Sequence, residues 1–424
     1  MDRIRKLVIG SEENLRKKNI LWNMVGSMVY SFATMLLSVA VLRVLGEGPG
    51  DIFVYAFTAG QQLLTIAYFG VRTFHITDIG GEYTFGDYLA LRYITCGITV
   101  AGGLVWALTG DRSREEALIL FLMVFYKMLD GFADVYESEF QRSGRLHLTG
   151  KSSTFRTLLS VTAFVVCMYT SRSLRLSCAA AVAAGIAGVW LFDAVILKAV
   201  PDVNYRVDFW HCRRLLVSCL SIALASFLEL YVFSAAKYGV YNYLEEGAAS
   251  AFNAIFLPTS IINLAAGFVL RPMLTMLSRR WQQQAIRHFC TVVAKTVLLI
   301  AALTVLALGV GWFAGIPVLE LVYHLKLSEY RNALLIIVAG GGLYACTTLF
   351  YYVLVILRRQ AALLIGYGAA AAAALVITAP MVRRWGMAGA AASYCALMGM
   401  LVLIFMLCSA AGVLRARAAL RKSQ

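Results

Sequence analysis

The sequence predicts an all-α integral membrane protein, with about twelve transmembrane helices in two six-helix lobes around a central cavity. Three observations carry that reading. The 424 residues are 60% hydrophobic and only 14% charged, whereas soluble domains hold roughly 25% charged residues. The apolar residues fall in runs of about 20, the length a helix needs to cross the hydrocarbon core. Proline is scarce, with 6 residues, and the 34 glycines lie largely inside apolar runs, a pattern of long helices and not of disorder.

Taken in order, the runs begin near Ile20, Ile52, Leu89, Glu116, Phe155, Leu176, Leu215, Ala248, Phe289, Asn332, Ala361 and Gly386. The longest connections are about 15–20 residues, too short for an inserted soluble domain. The opening MDRIRKLVIGSEENLRKKN lacks the apolar core and small-residue cleavage site of a removable signal, so the first span is expected to remain. Lys and Arg set the orientation. With the N-terminus inside, 25 of the 38 fall in cytoplasmic segments, 10 outside, and Arg92, Lys127 and Lys295 within spans. That bias predicts both termini in the cytoplasm. The net charge of +15 follows alternate loops, which suits anionic membrane lipid and argues against a nucleic-acid partner.

The chain divides near VPDVNYRVDFWHC (Val200–Cys212), giving an N-terminal lobe over 1–200 and a C-terminal lobe over 201–424. The halves echo each other: FTAGQQLLTIAYFGVR (Phe57–Arg72) stands against FLPTSIINLAAGFVLR (Phe256–Arg271), and the next span of each carries an early basic residue, Arg92 or Lys295. Six-plus-six repeats are a transporter architecture, with the substrate path between the halves.

The fourth run contains FYKMLDGFADVY, where Lys127, Asp130 and Asp134 are spaced i, i+3, i+7 and share one helical face. A charge facing hydrocarbon costs at least about 2.5–3.5 kcal/mol, so this face must look into protein or water. Three settings satisfy that: a hydrated cavity lined by a cation and carboxylates, an internal Lys–Asp pair locking two helices, or a wet cytoplasmic end for Asp134. The first run offers a polar stripe of Asn23, Ser27, Ser31, Thr34 and Ser38, which either glues helices together or lines an aqueous path. Arg92 and Lys295 lie near cytoplasmic ends, where they either snorkel to headgroups or give a basic lumen for an anionic substrate. Glu229 and Asp193 are lone intramembrane acids that either pair with those cations or relay protons.

Two stretches are expected as short surface helices: RPMLTMLSRRWQQQAIRHF (Arg271–Phe289) on the inner face, and GIPVLELVYHLKLSEYRNA (Gly315–Ala333) on the outer face. The runs AGGGLYA (Ala339–Ala345) and GYGAAAAAA (Gly366–Ala374) let helices approach closely. Nine cysteines without a CxxC pair and five scattered histidines give neither a disulfide framework nor metal-ligand spacing. No cofactor is expected.

Several local patterns resemble the polysaccharide and O-antigen flippases of the multidrug/oligosaccharidyl-lipid/polysaccharide exporter superfamily. They are NMVGSMVYSFATMLLSVAVLRVLGEGPGDIFVYAF for the first two spans, EFQRSGRLHLTGKSS (Glu139–Ser153), GIPVLELVYHLKLSEYRNALLIIVAGG and RRWGMAGAAASY (Arg383–Tyr394). The resemblance covers nearly the whole chain through the order and spacing of these segments. It implies a two-lobed transporter of a bacterial inner membrane that moves undecaprenyl-diphosphate-linked oligosaccharide to the periplasmic leaflet by alternating access. It also implies a cationic cavity, polysaccharide assembly proteins as further partners, and H+ or Na+ as coupling ion. By location, Arg92, Lys127 and Lys295 become candidates for contact with phosphate or sugar acids, and Asp130, Asp134 and Glu229 for ion coupling. The second-to-third connection departs from the pattern, with Asp78, Glu82 and Asp87 and little positive charge.

Other classes fit less well. A cation-coupled multidrug exporter of the same superfamily often uses an acidic site in the first span, and here that span has none. A polysaccharide polymerase or glycosyltransferase is expected to carry a large polar loop with convergent acid, base or phosphate-binding groups; these loops are short and hold no nucleotide motif. A scaffold without transport would pair all its intramembrane charges.

Overall fold

The computed structural model describes residues 14–423 except 79, 80, 110, 111, 199, 201 and 202. It omits the side chains of 16, 264, 265, 267–269, 271, 272, 274, 275 and 419–423. The basic residues Arg3, Arg5 and Lys6, and the Arg271 side chain, therefore lie outside the described residues.

All regular elements among the described residues are helical. Twelve are long: α1 (Leu15–Leu45), α2 (Glu47–Tyr68), α3 (Phe85–Leu108), α4 (Arg114–Arg142), α5 (Leu146–Ser171) and α6 (Leu174–Leu197). Next come α7 (Phe209–Tyr243), α8 (Ala248–Gln282), α9 (Ile286–Val310) and α10 (Arg331–Ile356). The final helical stretch, Gln360–Ser423, breaks at Gly386, whose φ of +56° and ψ of −133° separate α11 (360–385) from α12 (387–423). These helices match the twelve runs read from hydropathy. Leu298, Phe313 and Leu375 stay 69%, 82% and 71% exposed. Large side chains left bare on long apolar helices mark a lipid-facing surface, and the chain is a multi-pass membrane protein.

Local chemistry sets the ends. Thr84 and Ser113 each form a capping box, with Asp87 and Glu116 respectively, at the starts of α3 and α4. Ser173 caps α6. Helix α2 stops at Phe69 and Gly70, both left-handed, and the chain turns through 42° into a short helix, Val71–Thr77. That bend frees the Ala67 carbonyl for side chains from α3.

By contacts the chain forms two compact units, Met1–Phe227 and Leu228–Gln424. In unit 1, α4 is the hub, packed against α2, α3, α5, α6 and the short helix. In unit 2, α10 packs against α8, α9 and the final helical stretch. The first half of α7 goes with unit 1, because Cys212, Leu215 and Cys219 are buried there and Gln62 donates to the Phe227 carbonyl at 2.8 Å. The contact division thus falls inside a helix, whereas the chain-order division at 200/201 falls between two.

The expected inner surface helix is not a separate element. Helix α8 runs on to Gln282, a turn covers Gln283–Ala285, and α9 begins at Ile286. Leu277 is fully buried with Phe289 and Val353, and the Trp281 ring lies 5.2 Å from Phe289. Packing on unit 2 therefore claims the apolar face that was assigned to the membrane surface. On the far side, a helix does form at Ile316–Tyr323, but it continues α9 through a wide turn at Gly311–Gly315.

Candidate functional site

The hub position of α4 turns its polar face toward protein. Lys127 and Asp134 are each 3% exposed and Asp130 8%. Asp134 bridges two guanidiniums: Oδ1 accepts from Arg72 Nη1 at 2.6 Å, and Oδ2 from Arg92 Nη2 at 2.7 Å. Arg92, 1% exposed, also donates to the Ala67 carbonyl, which Thr95 shares. Arg72 extends to Glu137 at 3.4 Å and Gln141 at 3.1 Å. Three turns of α4 are thereby tied to α3 and to the short helix after α2.

A second arginine fork closes the opposite side. Arg156 of α5 donates to Glu137 Oε1 at 2.9 Å and to Asp193 Oδ2 at 2.8 Å, and it passes Asp130 at 3.9 Å. Asp193 lies in a π-helical turn, Val189–Ala194, and also accepts from Ser152. The wider turn aims this carboxylate at α5. A Cβ on Gly188 would sit 2.8 Å from Arg156 Cγ, so only glycine leaves room for that arginine.

Lys127 occupies an aromatic box. Its Nζ lies 4.6 Å from the Phe57 centroid, 4.8 Å from Tyr30 and 5.3 Å from Tyr126, distances at which the ring faces attract a cation. The ammonium donates to Asp130 Oδ2 at 3.1 Å and to the Tyr30 hydroxyl at 3.2 Å; that hydroxyl donates to Asp130 at 3.1 Å. Lys127, Arg72, Arg92 and Arg156 thus face Asp130, Asp134, Glu137 and Asp193, a neutral set. Burying an ion costs several kcal/mol unless geometry and hydrogen bonds compensate, and these short, shared contacts supply both.

The structure brings Arg92, Lys127, Asp130 and Asp134 into this one network. Lys295 and Glu229 belong to unit 2 and are not members of it. Lys295 is exposed on α9, and half-buried Glu229 accepts from the Tyr344 hydroxyl of α10 at 3.2 Å. Arg92 and Lys295 thus sit in unlike settings although the repeat pairs them. The repeat is plainer elsewhere: Phe256, matched to Phe57, lies 4.6 Å under Lys237. The α1 stripe is spread over different settings. Asn23, Ser27 and Thr34 are half-buried, Ser31 is exposed and Ser38 is buried. Ser27 and Ser31 donate to the carbonyls of Asn23 and Ser27. Close packing of α1 on α5 rests instead on Gly26 and Gly150, where an added Cβ would strike backbone.

Sequence reading missed Arg72, Arg156 and Glu137. The first two fall among the 25 cations that the sequence assigns to cytoplasmic segments, because they stand near the ends of apolar runs. Glu137 had a usable signal, since it follows Asp134 by three and shares its helical face. Among the described residues, no group of His, Cys, Asp or Glu could hold a metal ion. The network holds the helices of unit 1 together.

Solved transporter structures share this helical arrangement. The chain is similar along 96% of its length, and 96% of the other's, to an inward-facing multidrug resistance MATE family transporter of the MOP superfamily, with TM-score 0.65 and 11% identity. It is similar to the Vibrio cholerae MATE transporter VcmN in the bent form, with TM-score 0.59, 14% identity and coverage of 95% and 98%. A MOP superfamily transporter from Pyrococcus furiosus, described by the reverse polarity of its binding pocket, gives 0.55, 12%, 98% and 97%. At identities of this order the likeness shows the fold alone, which is that of the MOP superfamily transporters. No protein-family model matches the sequence, and no curated protein does.

Proposed function

We propose that this chain is an alternating-access transporter that flips a lipid-linked anionic oligosaccharide, of the undecaprenyl-diphosphate type, from the cytoplasmic to the periplasmic leaflet of a bacterial inner membrane. The observation that carries the choice of cargo is the distribution of carboxylates. Helix α1 has none, and from residue 247 to the end only Glu320 and Glu329 are acidic. Unit 2 therefore presents unneutralised cations, which favour a diphosphate over a cationic drug.

In this reading Lys295, exposed and without an ion pair among the described residues, is the first candidate to meet cargo phosphate. In unit 1, Arg92 and Lys127 become candidates only when Asp134 and Asp130 release them. A proton or Na+ at those carboxylates is what frees the cations, so coupling and binding share one network in unit 1, with Glu229 as a separate coupling candidate in unit 2. The second reading, a multidrug exporter, draws on the descriptions of the similar structures. One strain separates the two. Deleting the gene should make a lipid-linked glycan accumulate on the cytoplasmic leaflet, and restoring the gene should clear it. Raised drug susceptibility without any accumulating glycan lipid would reject the flippase.

A further inference from the structure

Unit 2 has a second feature that translocation does not explain. Its helices α8, α9, α10 and α12 meet at one end around a cavity of about 510 Å3. Trp281, Ile286 and Ile356 give it an apolar side, while Ser278, Gln284 and Arg358 give it a polar one. Two turns build the polar side, and each reverses through a left-handed residue, Gln284 at φ +56° and Arg358 at φ +55°. Helix α8 ends and α9 starts at the first turn, α10 ends at the second, and Ala416 of α12 completes the wall.

The surroundings are basic without compensation among the described residues. Arg279, Arg287, Arg358, Arg415 and Arg417 are exposed at this end. Both acids of unit 2 after residue 247 lie at the opposite ends of the same helices: Glu320 closes the continuation of α9, and Glu329 precedes α10. Among the described residues, Arg359 and Arg417 make only long bonds, to the Cys408 carbonyl at 3.5 Å and to Cys290 Sγ at 3.8 Å. The Nε of Arg280, next to Trp281, is buried without a hydrogen-bond partner among the described residues. This contrasts with unit 1, where each network cation has its carboxylate.

From these features we infer that the cavity binds the phosphate-bearing headgroup of an anionic lipid. Arg358 meets the phosphate, Gln284 and Ser278 take its hydroxyl or ester oxygens, and Trp281 lies along the start of the acyl chain. The volume suits a headgroup, indole side chains favour the membrane–water interface, and this is the end that the Lys and Arg bias assigns to the cytoplasm. The site is separate from the network around α4 and stands whatever cargo the protein carries. Two lipids supply the same chemistry, a membrane phospholipid and a polyprenyl diphosphate.

The test uses the full chain in detergent, delipidated and then offered phosphatidylglycerol, phosphatidylcholine or undecaprenyl diphosphate, with retained lipid read by native mass spectrometry. Wild-type protein should retain phosphatidylglycerol over phosphatidylcholine. Arg358→Asn, a residue that suits the left-handed turn, should weaken that retention about tenfold, the loss of one charge-assisted bond. Arg358→Lys should restore most of it, and Arg213→Asn in unit 1 should change nothing. Undecaprenyl diphosphate that displaces phosphatidylglycerol makes the cargo lipid the occupant; failure to displace it makes the phospholipid the occupant, and either outcome upholds the site. Equal retention of phosphatidylglycerol and phosphatidylcholine, or R358N protein that binds like wild type, would overturn it.

Discussion

Asp134 holds two guanidiniums with its two oxygens; removing its charge leaves Arg92 buried without a carboxylate, while Arg72, whose side chain is 35% exposed, keeps Glu137 and Gln141. Breaking a buried pair in this way costs about 3–5 kcal/mol. The Asp134→Asn protein should therefore aggregate on heating well below the wild type, as followed by size-exclusion chromatography after a temperature series. Lys127→Met should cost less, because its box of rings still packs an unbranched side chain and Asp130 keeps the Tyr30 hydroxyl. Equal losses from the two substitutions would refute this ranking. At this scale the sequence revealed which face of α4 is polar, through the spacing of Lys127, Asp130 and Asp134. It could not reveal their partners. Arg72 and Arg156 come from other elements at separations of 62 and 19 residues from the carboxylates they meet, and no local periodicity encodes such a meeting.

Helices α1 and α5 cross where glycine faces glycine. A Cβ on Gly150 would overlap the Trp22 carbonyl, whereas one on Gly97 of α3 would meet nothing within 4 Å. Gly150→Leu should thus prevent folded protein from being recovered, while Gly97→Leu should leave yield and elution profile unchanged; recovery of both at wild-type levels would contradict the packing. The crossing is fixed on one side by Asn19, which donates to the Gly144 carbonyl at 3.0 Å and accepts from the His147 amide at 2.8 Å. Helix existence and order were legible at this scale because runs of apolar residues are long and separated by charged or left-handed turns. Helix ends were less so. The tail of α8 read as a surface helix since its apolar stripe is flanked by arginines, and hydropathy does not distinguish lipid from the neighbouring Phe289 and Val353 that cover it.

For the molecule as a whole, the count of spans and the bias of Lys and Arg together predict an orientation that can be measured. A fluorescent protein fused after residue 424 should fold and fluoresce, and alkaline phosphatase fused after Arg112 should be active. The reverse pattern would invert the topology and move the basic cavity of unit 2 to the outer face. Global charge layout was visible in the sequence, but its division into a self-neutralising set and an unpaired set was not, because that depends on which helices touch. One consequence reaches beyond contacts. From residue 330 onward there is no Asp, Glu or His, the side chains whose ordinary titration lies below or near neutrality. The last three helices consequently keep one fixed charge between about pH 5 and 8. Acidifying either compartment cannot act through them, and whatever proton-motive response the protein shows has to originate earlier in the chain.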